Sequence, residues 1–399
     1  MNLEWLIIGG GIHGVHIAAR LIDEAGVDPG RIRIVDPGPR LLDRWRTCTA
    51  TTGMTHLRSP SVHHLGPNPW ALQRMAGKRK NNRKSGLFAP PYDRPALGFF
   101  NEHCDRVINQ FGLSDLHVQA RAVSLSIDCE KVGVELSNGE ALESDNVVLA
   151  IGTSEQPHWP DWAPRNDSRV HHIFDQNFDG WPASEEAVVV VGGGISGGQV
   201  AIRLLNEGHR VDLVSRHPMR EHQFDSDPGW LGPRFMTKFK REPNADRRRA
   251  LITDARHRGS MPPDVHRDLR LAIKANRLQW HQAAVDELDA TGDEIAVHLS
   301  TGSLLSAQRV LLATGFSSPR PGGSLVDHLV ASESLSCAKC GYPIVDESLR
   351  WHPRVYVSGP LAELELGPSS RNIAGARRAA DKLVEAARSI RMGATQQAH

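Results

Sequence analysis

The chain has 399 residues, 40% of them hydrophobic and 23% charged, which is the make-up of a soluble globular protein long enough for two cored domains. Lys and Arg number 47 and Asp and Glu 46, so a net charge of +1 gives no overall field that argues for nucleic acid as a partner. No apolar run reaches membrane length, a strand begins within a few residues of Met1 with no room for a signal peptide, and five scattered cysteines make no secreted disulfide framework, so a cytoplasmic location is expected.

The first element is a strand, Leu6 to Ile8, that runs into Gly9, Gly11 and Gly14 and then into a helix through Leu21. In such a Gly-x-Gly-x-x-Gly turn the first glycine permits the tight bend and the second lets backbone approach a pyrophosphate. The third lets the helix pack closely on the strand, and the helix N-terminus offers free N–H groups to the phosphates. A second strand, Ile32 to Val35, ends at Asp36, 22 residues beyond Gly14, where an acid is placed to grip a ribose 2′-hydroxyl. An irregular stretch follows from about residue 45 to 91, rich in His, Pro and Arg. Within it, Arg74 to Lys84 carries six positive charges and no acid, a solvated loop or a steering patch for an anionic ligand. A helix is expected from Pro95 to Phe111, then strands from Val118 to Ile127 and Val132 to Leu136. Asn138-Gly139 marks a hairpin turn, and a buried strand from Asn146 ends in a glycine turn at Gly152.

The plan then repeats. Val188 to Val191 lead into Gly192, Gly194 and Gly197, and the next strand, Val211 to Val214, ends in Ser215-Arg216-His217. No acid stands there, and an arginine suits the 2′-phosphate of NADP. Phe224 to Arg258 reads as a partly helical insertion, with Arg234 or Lys238 as further candidates for the same phosphate. Small strands around Glu294 to Leu299, with Gly302 turning, precede a buried strand from Arg309 that turns at Gly315. Cys337 and Cys340 form a CxxC that reads as a plain turn, a dithiol redox pair or half a zinc site; with no second CxxC or HxxxH, no metal is expected. A strand from Arg354 to Pro360 and a last helix opening in Leu366 to Gly375 close the chain. The fold class is therefore α/β, with two Rossmann-like dinucleotide-binding domains.

This duplicated plan resembles the two-dinucleotide-binding-domain flavoproteins, in which an NADPH domain is inserted into an FAD domain. The resemblance implies FAD and NADPH as cofactors, an FAD domain over 1–160 and 326–390, an NADPH domain over 161–325 with an insertion at 220–275, and a flexible tail at 391–399. It places Gly9, Gly11, Gly14, Asp36, Met54, Leu57, Arg58, Gly152, Gly359, Leu366 and Gly367 on FAD. Gly192, Gly194, Gly197, Ser215, Arg216 and Gly315 fall on NADPH. Within that group the sequence is similar to the class B flavin monooxygenases, especially the ornithine and lysine N-hydroxylases. The likeness is carried by Met54-Thr-His-Leu-Arg-Ser-Pro60, by Pro91-Tyr-Asp-Arg94 before Phe99-Phe100, and by the C-terminal LGPSSRNIAGAR. The monooxygenase fingerprint should fall near Val170 to Pro182, where a His and Trp181-Pro182 are present but the preceding Phe and Gly are not.

The resemblance implies hydride transfer from NADPH to flavin, then reaction of the reduced flavin with molecular oxygen through a C4a-peroxyflavin to hydroxylate a small-molecule substrate. A dithiol reductase using Cys337 and Cys340 and a non-catalytic flavin sensor are the alternatives. His56, His63 and His64 crowd one loop expected to face the flavin and are the candidates for moving a proton.

Overall fold

The computed structural model describes residues 2–77 and 86–397, so most of the basic run after Arg74 lies outside the described residues. Two parallel sheets organise the chain. In the first, Leu3–Ile8 is buried along its whole length and lies between Ile32–Asp36 and Ala141–Leu149, parallel to both. Uninterrupted apolar runs such as this one suit a strand covered on both faces. His117–Gln119 extends the sheet on one side, and Val355–Val357 joins it in parallel on the other, bringing the C-terminal segment back to the first domain. Ala122–Ile127 and Val132–Leu136 form an antiparallel meander on Ala141–Leu149, turned at Gly139 with φ +85°.

The second sheet repeats this arrangement. Ala187–Val191 lies between Arg210–Ser215 and Arg309–Leu312, with Leu278–Gln282 and Val170–His172 at the edges, all parallel. A three-stranded antiparallel sheet, Val285–Asp289, Ile295–Leu299 and Leu304–Ala307, takes the place of the meander. The insertion supplies helices Pro233–Arg241 and Ala245–Ala255. Met236, Phe239 and Ile252 from it share a core with Ala338, Tyr342 and Leu364 of the returning segment. The two crossings between domains pair with each other: His158 N–H donates to the Gly315 carbonyl at 2.9 Å and Ser317 N–H to the Gln156 carbonyl at 2.8 Å.

Two expectations are corrected. A helix, Asp43–Thr52, occupies the start of the stretch read as irregular. The last helix, Ile373–Gln397, runs through the segment read as a tail from residue 391. The first carries four threonines, which have little intrinsic preference for the state. It is stabilised from outside, since Arg203 of the second domain donates to the carbonyls of Ala50 and Thr51 at 3.0 and 2.9 Å.

Candidate functional site

The two glycine turns are built alike. Gly9 and Gly192 have φ of +113° and +142°, and a Cβ there would lie 2.6 Å from the Ala150 carbonyl oxygen and 2.3 Å from that of Ala313. Only glycine meets both demands. At the third position the packing is tighter still: a Cβ on Gly14 would sit 1.8 Å from the Gly9 carbonyl oxygen, and one on Gly197 1.9 Å from that of Gly192. The middle glycines differ in kind. A Cβ on Gly11 would meet no heavy atom within 4 Å, and one on Gly194 would meet only the backbone of Gly259, 3.5 Å away. Their lack of a side chain answers no crowding within the protein, as fits a surface that a pyrophosphate approaches. Helices Ile12–Asp23 and Ile195–Asn206 begin at these turns with Gly11 and Gly194 as N-caps, so their first N–H groups are available to phosphate oxygens.

The ends of the second strands set the two sites apart. Asp36 accepts hydrogen bonds from Gly10 N–H at 2.7 Å and Gly38 N–H at 2.9 Å, which fixes its carboxylate beside the turn with lone pairs left for a ribose hydroxyl. Ser215 occupies the equivalent place, since a Cβ on Gly193 would meet the Ser215 Cβ at 2.7 Å as one on Gly10 would meet that of Asp36 at 2.9 Å. Its hydroxyl accepts from Trp280 Nε1 at 3.0 Å and donates to the His217 carbonyl at 2.9 Å. Arg216 follows, exposed. The first site carries an anion where the second carries a neutral side chain and a cation.

Other predicted residues are distributed less simply. Leu57 and Leu366 are core residues, Met54 packs on the first-domain core, and Gly152 and Gly315 lie just beyond the strands Ala141–Leu149 and Arg309–Leu312. Arg58 reaches across to the second domain, donating to the carbonyls of Gln223 and His222 at 2.8 Å each and to Ser260 Oγ at 2.9 Å. Gly367, with φ +78°, faces Met236 and Trp230 of the insertion. Gly359, with φ +63°, faces the His13 ring, whose Nδ1 lies 2.8 Å from Ser358 Oγ. Sequence reasoning passed over His13 as a filler position of the glycine motif.

The three loop histidines separate. His64 is fully buried: its Nε2 donates to the Pro69 carbonyl at 3.0 Å, and its Nδ1 accepts from Gly66 N–H at 3.1 Å and faces His103 Nε2 at 3.1 Å. Burial and the neighbouring His103 push its pKa down to about 3. Arg377 of the last helix donates to the carbonyls of His64, Gly66 and Pro67, fastening this loop to the domain core. With both ring nitrogens engaged, His64 is a packing residue. His63 is half-buried and lowered to about 4 by burial and by Arg377. His56 keeps long contacts, 3.4 Å to Thr55 Oγ1 and 3.3 Å to the Gly86 carbonyl.

Between the insertion and the start of the last helix lies Glu363, fully buried and bound by Arg249, by Arg256 at 3.3 Å and by Arg371 at 2.5 Å. Burial works to raise its pKa, but the Arg371 hydrogen bond and the three guanidinium charges hold it below the usual carboxylate range. Tyr342 completes the cluster, accepting from Arg371 at 3.0 Å and donating to the Ser318 carbonyl at 3.0 Å. Cys337 packs on the first-domain core and Cys340 is exposed, on a turn closed by Gly341 N–H to the Ala338 carbonyl at 2.8 Å. In the fingerprint region the Trp181 ring packs within the second domain: Arg203 lies over it at 3.8 Å, and Trp181 Nε1 donates to Glu207 at 2.7 Å.

Residues 6–154 match the family described as FAD-NAD(P)-binding, and residues 99–255 that described as pyridine nucleotide-disulphide oxidoreductase. No curated protein matches the sequence. Among solved structures, ornithine hydroxylase (PvdA) from Pseudomonas aeruginosa superposes with a TM-score of 0.76 at 17% identity, over 98% of this chain and 99% of that one. The ornithine N-hydroxylase KtzI of Kutzneria sp. 744 gives 0.78 at 16% identity, over 98% of this chain and 100% of its own. L-lysine 6-monooxygenase from Pseudomonas syringae gives 0.73 at 18%, over 96% and 99%. By its fold and its two family matches, the chain is an FAD/NAD(P)-binding oxidoreductase built on the two-dinucleotide-binding-domain flavoprotein plan.

Proposed function

We propose that the protein is an NADPH-dependent FAD monooxygenase that hydroxylates a small amine. The observation that carries this reading is the pair of like-built glycine turns with unlike second-strand ends, Asp36 in one and Ser215-Arg216 in the other. Its support in fold is end-to-end likeness to structures described as ornithine, lysine and cadaverine hydroxylating enzymes.

FAD would occupy the Gly9–Gly14 turn with its ribose on Asp36, and NADPH the Gly192–Gly197 turn with its 2′-phosphate toward Arg216. The flavin, when bound, supplies hydride acceptance and the reaction with oxygen. The protein's part is to orient and shield. With FAD bound, the N-terminus of helix Ile373–Gln397 would offer partial positive charge to the flavin, favouring negative charge there. The insertion is locked onto the returning segment through Glu363 and its three arginines, and there it would shield a bound flavin from water. Burial keeps His63 and His64 neutral, lowered to about 4 and about 3, which leaves His56 as the candidate among the three loop histidines to exchange a proton with substrate.

The test is anaerobic reduction of the purified yellow protein by NADPH or NADH, then mixing with oxygen and a panel of primary amines while hydroxylamine product and peroxide are followed. Faster reduction by NADPH, with one hydroxylated amine formed per NADPH for some member of the panel, is expected. Failure of NADPH to reduce the bound flavin would remove the assignment.

A further inference from the structure

The second glycine turn differs from the first in having a neighbour. A Cβ on Gly11 would meet nothing within 4 Å, whereas one on Gly194 would lie 3.5 Å from the Cα of Gly259 and 3.8 Å from its carbonyl carbon. Gly259 belongs to the insertion and is exposed, with φ +68°, and a Cβ on it would itself meet no heavy atom within 4 Å. Two bare stretches of backbone therefore adjoin, and a pyrophosphate lying on Gly194 lies against Gly259 as well.

The chain on either side fixes this arrangement. Ser260–Met261 pairs in parallel with Arg220–Glu221, the short strand that follows Ser215, which brings the turn to the carboxyl end of the second sheet, where such sheets bind their ligands. Val265, Leu269 and Met261 pack on Gly198 of helix Ile195–Asn206, 2.9, 3.1 and 3.6 Å from where its Cβ would be, so the insertion and the start of that helix hold one another in place. Within the turn His257 N–H donates to the Asp225 carbonyl at 2.7 Å and Ser260 N–H to the His257 carbonyl at 3.2 Å, and from the first domain Arg58 donates to Ser260 Oγ at 2.9 Å.

The turn also carries unneutralised charge. Arg258 immediately precedes Gly259 and is exposed, and exposed Arg220 donates to its carbonyl at 3.3 Å. Among the described residues no carboxylate pairs with Arg258, and Glu221, the acid of the strand pair, is engaged by His266 at 2.9 Å. A guanidinium on a rigid turn, one residue from backbone that a dinucleotide lies against, is matched by a phosphate. Arg216, at the end of the preceding strand, is left for the 2′-phosphate.

We propose that Arg258 is a cofactor-binding residue whose guanidinium pairs with the pyrophosphate of NADPH where Gly194 and Gly259 adjoin. The inference rests on the reading of the second turn as the NADPH site.

The test is equilibrium titration of the oxidised, flavin-loaded protein with NADP+, with NAD+, and with 2′-AMP, which has the 2′-phosphate and no pyrophosphate. Arg258→Ala should weaken NADP+ and NAD+ by the same factor, about tenfold, and leave 2′-AMP within about threefold of wild type. Arg258→Lys, which keeps the charge, should hold both dinucleotides within about threefold. Because Arg258 is exposed, the melting temperature of both variants should stay at the wild-type value. Loss of NADP+ and 2′-AMP with NAD+ unchanged would overturn the proposal by placing Arg258 on the 2′-phosphate, and unchanged affinity for all three would overturn it by leaving Arg258 a solvated charge. Wild-type protein that binds none of the three ligands would refute the NADPH assignment itself, an outcome separate from any result on the variants.

Discussion

Two alanine substitutions three residues apart should fail in opposite ways. In Gly14→Ala the new methyl would lie 1.8 Å from the Gly9 carbonyl oxygen and 3.3 Å from Ile7 Cγ2, about half an ordinary contact distance from the first. Relief requires the helix to move away from a strand buried along its length, and overpacking of this kind costs roughly 1–3 kcal/mol or more. The cost falls on the protein with or without flavin, so the apoprotein itself should melt lower, by several degrees at about 2–4 °C per kcal/mol. In Gly11→Ala the methyl enters space where no heavy atom lies within 4 Å, and the backbone, at φ −78°, accepts alanine. Loss of a glycine N-cap costs on the order of 0.5 kcal/mol, so the apoprotein should be nearly as stable as wild type. FAD, however, must now approach a methyl group, and its dissociation constant should rise at least about tenfold. Differential scanning of flavin-free protein and fluorescence titration with FAD separate the two. Wild-type FAD affinity in Gly11→Ala, or an unshifted apoprotein melt in Gly14→Ala, would refute the division of roles.

The other predictions follow from particular contacts. Wild type should be reduced by NADPH at least about tenfold more efficiently than by NADH, about 1.4 kcal/mol, and Arg216→Ala should erase the preference while leaving flavin bound; equal efficiencies in the wild type would sink the assignment. Ser215→Asp, which rebuilds at the second turn the acid that Asp36 supplies at the first, should turn the preference toward NADH, and unchanged steady-state ratios would count against the alignment of the two strand ends. Because Cys340 is exposed and Cys337 packs on the core, the double Ser variant should keep NADPH oxidation within about threefold, less than roughly 0.7 kcal/mol in the barrier, and loss of turnover in a flavin-loaded double variant would point to a dithiol reductase. Burial lowers His64 to about 3 and His103 and His172 to about 4, against 6.5 when unfolded. Between these values the unfolded chain binds protons that the folded chain refuses, so their contribution is complete above pH 6.5 and is lost as pH falls toward about 4, at up to about 1.4 kcal/mol per pH unit for each ring. Melting temperatures that stay level from pH 7 to pH 4.5 would contradict this.

What was legible in the sequence follows from where the constraint lies. The glycine turns could be read directly because their demand is local: no other residue fits 1.8 or 1.9 Å from a carbonyl oxygen five residues away in the chain, so the steric rule writes itself as a spacing. The strands beside them were equally plain, since burial on both faces leaves continuous apolar runs. The contacts that could not be read are long-range. The resemblance places Arg58 on FAD with its neighbours in sequence, whereas its partners in the structure, Gln223 and His222, lie 165 and 164 residues on. His64 looked like a loop histidine because nothing nearby announces that Arg377 will clamp its loop. His13 occupied a position where the motif specifies nothing, so only the placement of Ser358, 345 residues away, gives it meaning.

The same kind of long-range arginine contact joins the two nucleotide-binding sheets. Arg44 donates to the carbonyls of Ser154 at 3.0 Å, Asp175 at 3.2 Å and Phe174. Arg58 grips the strand pair of the insertion, Arg203 caps the carbonyl end of Asp43–Thr52, and Arg94, 2% exposed, meets Asp264 at 2.8 Å. Apart from the Arg94 pair, these are mainly guanidinium donors on main-chain oxygens, and such charge-assisted bonds contribute on the order of 1.5–3 kcal/mol each. Apolar packing would tolerate sliding of one domain on the other, because it is non-directional; planar forks on fixed carbonyls do not. Arg44 sits on the helix after Asp36, Arg58 on the loop after that helix, Arg94 on the short strand Arg94–Pro95, and Arg203 on the helix that begins at Gly194. The segments that follow the glycine turns are thus also the segments that fix the two sheets against each other.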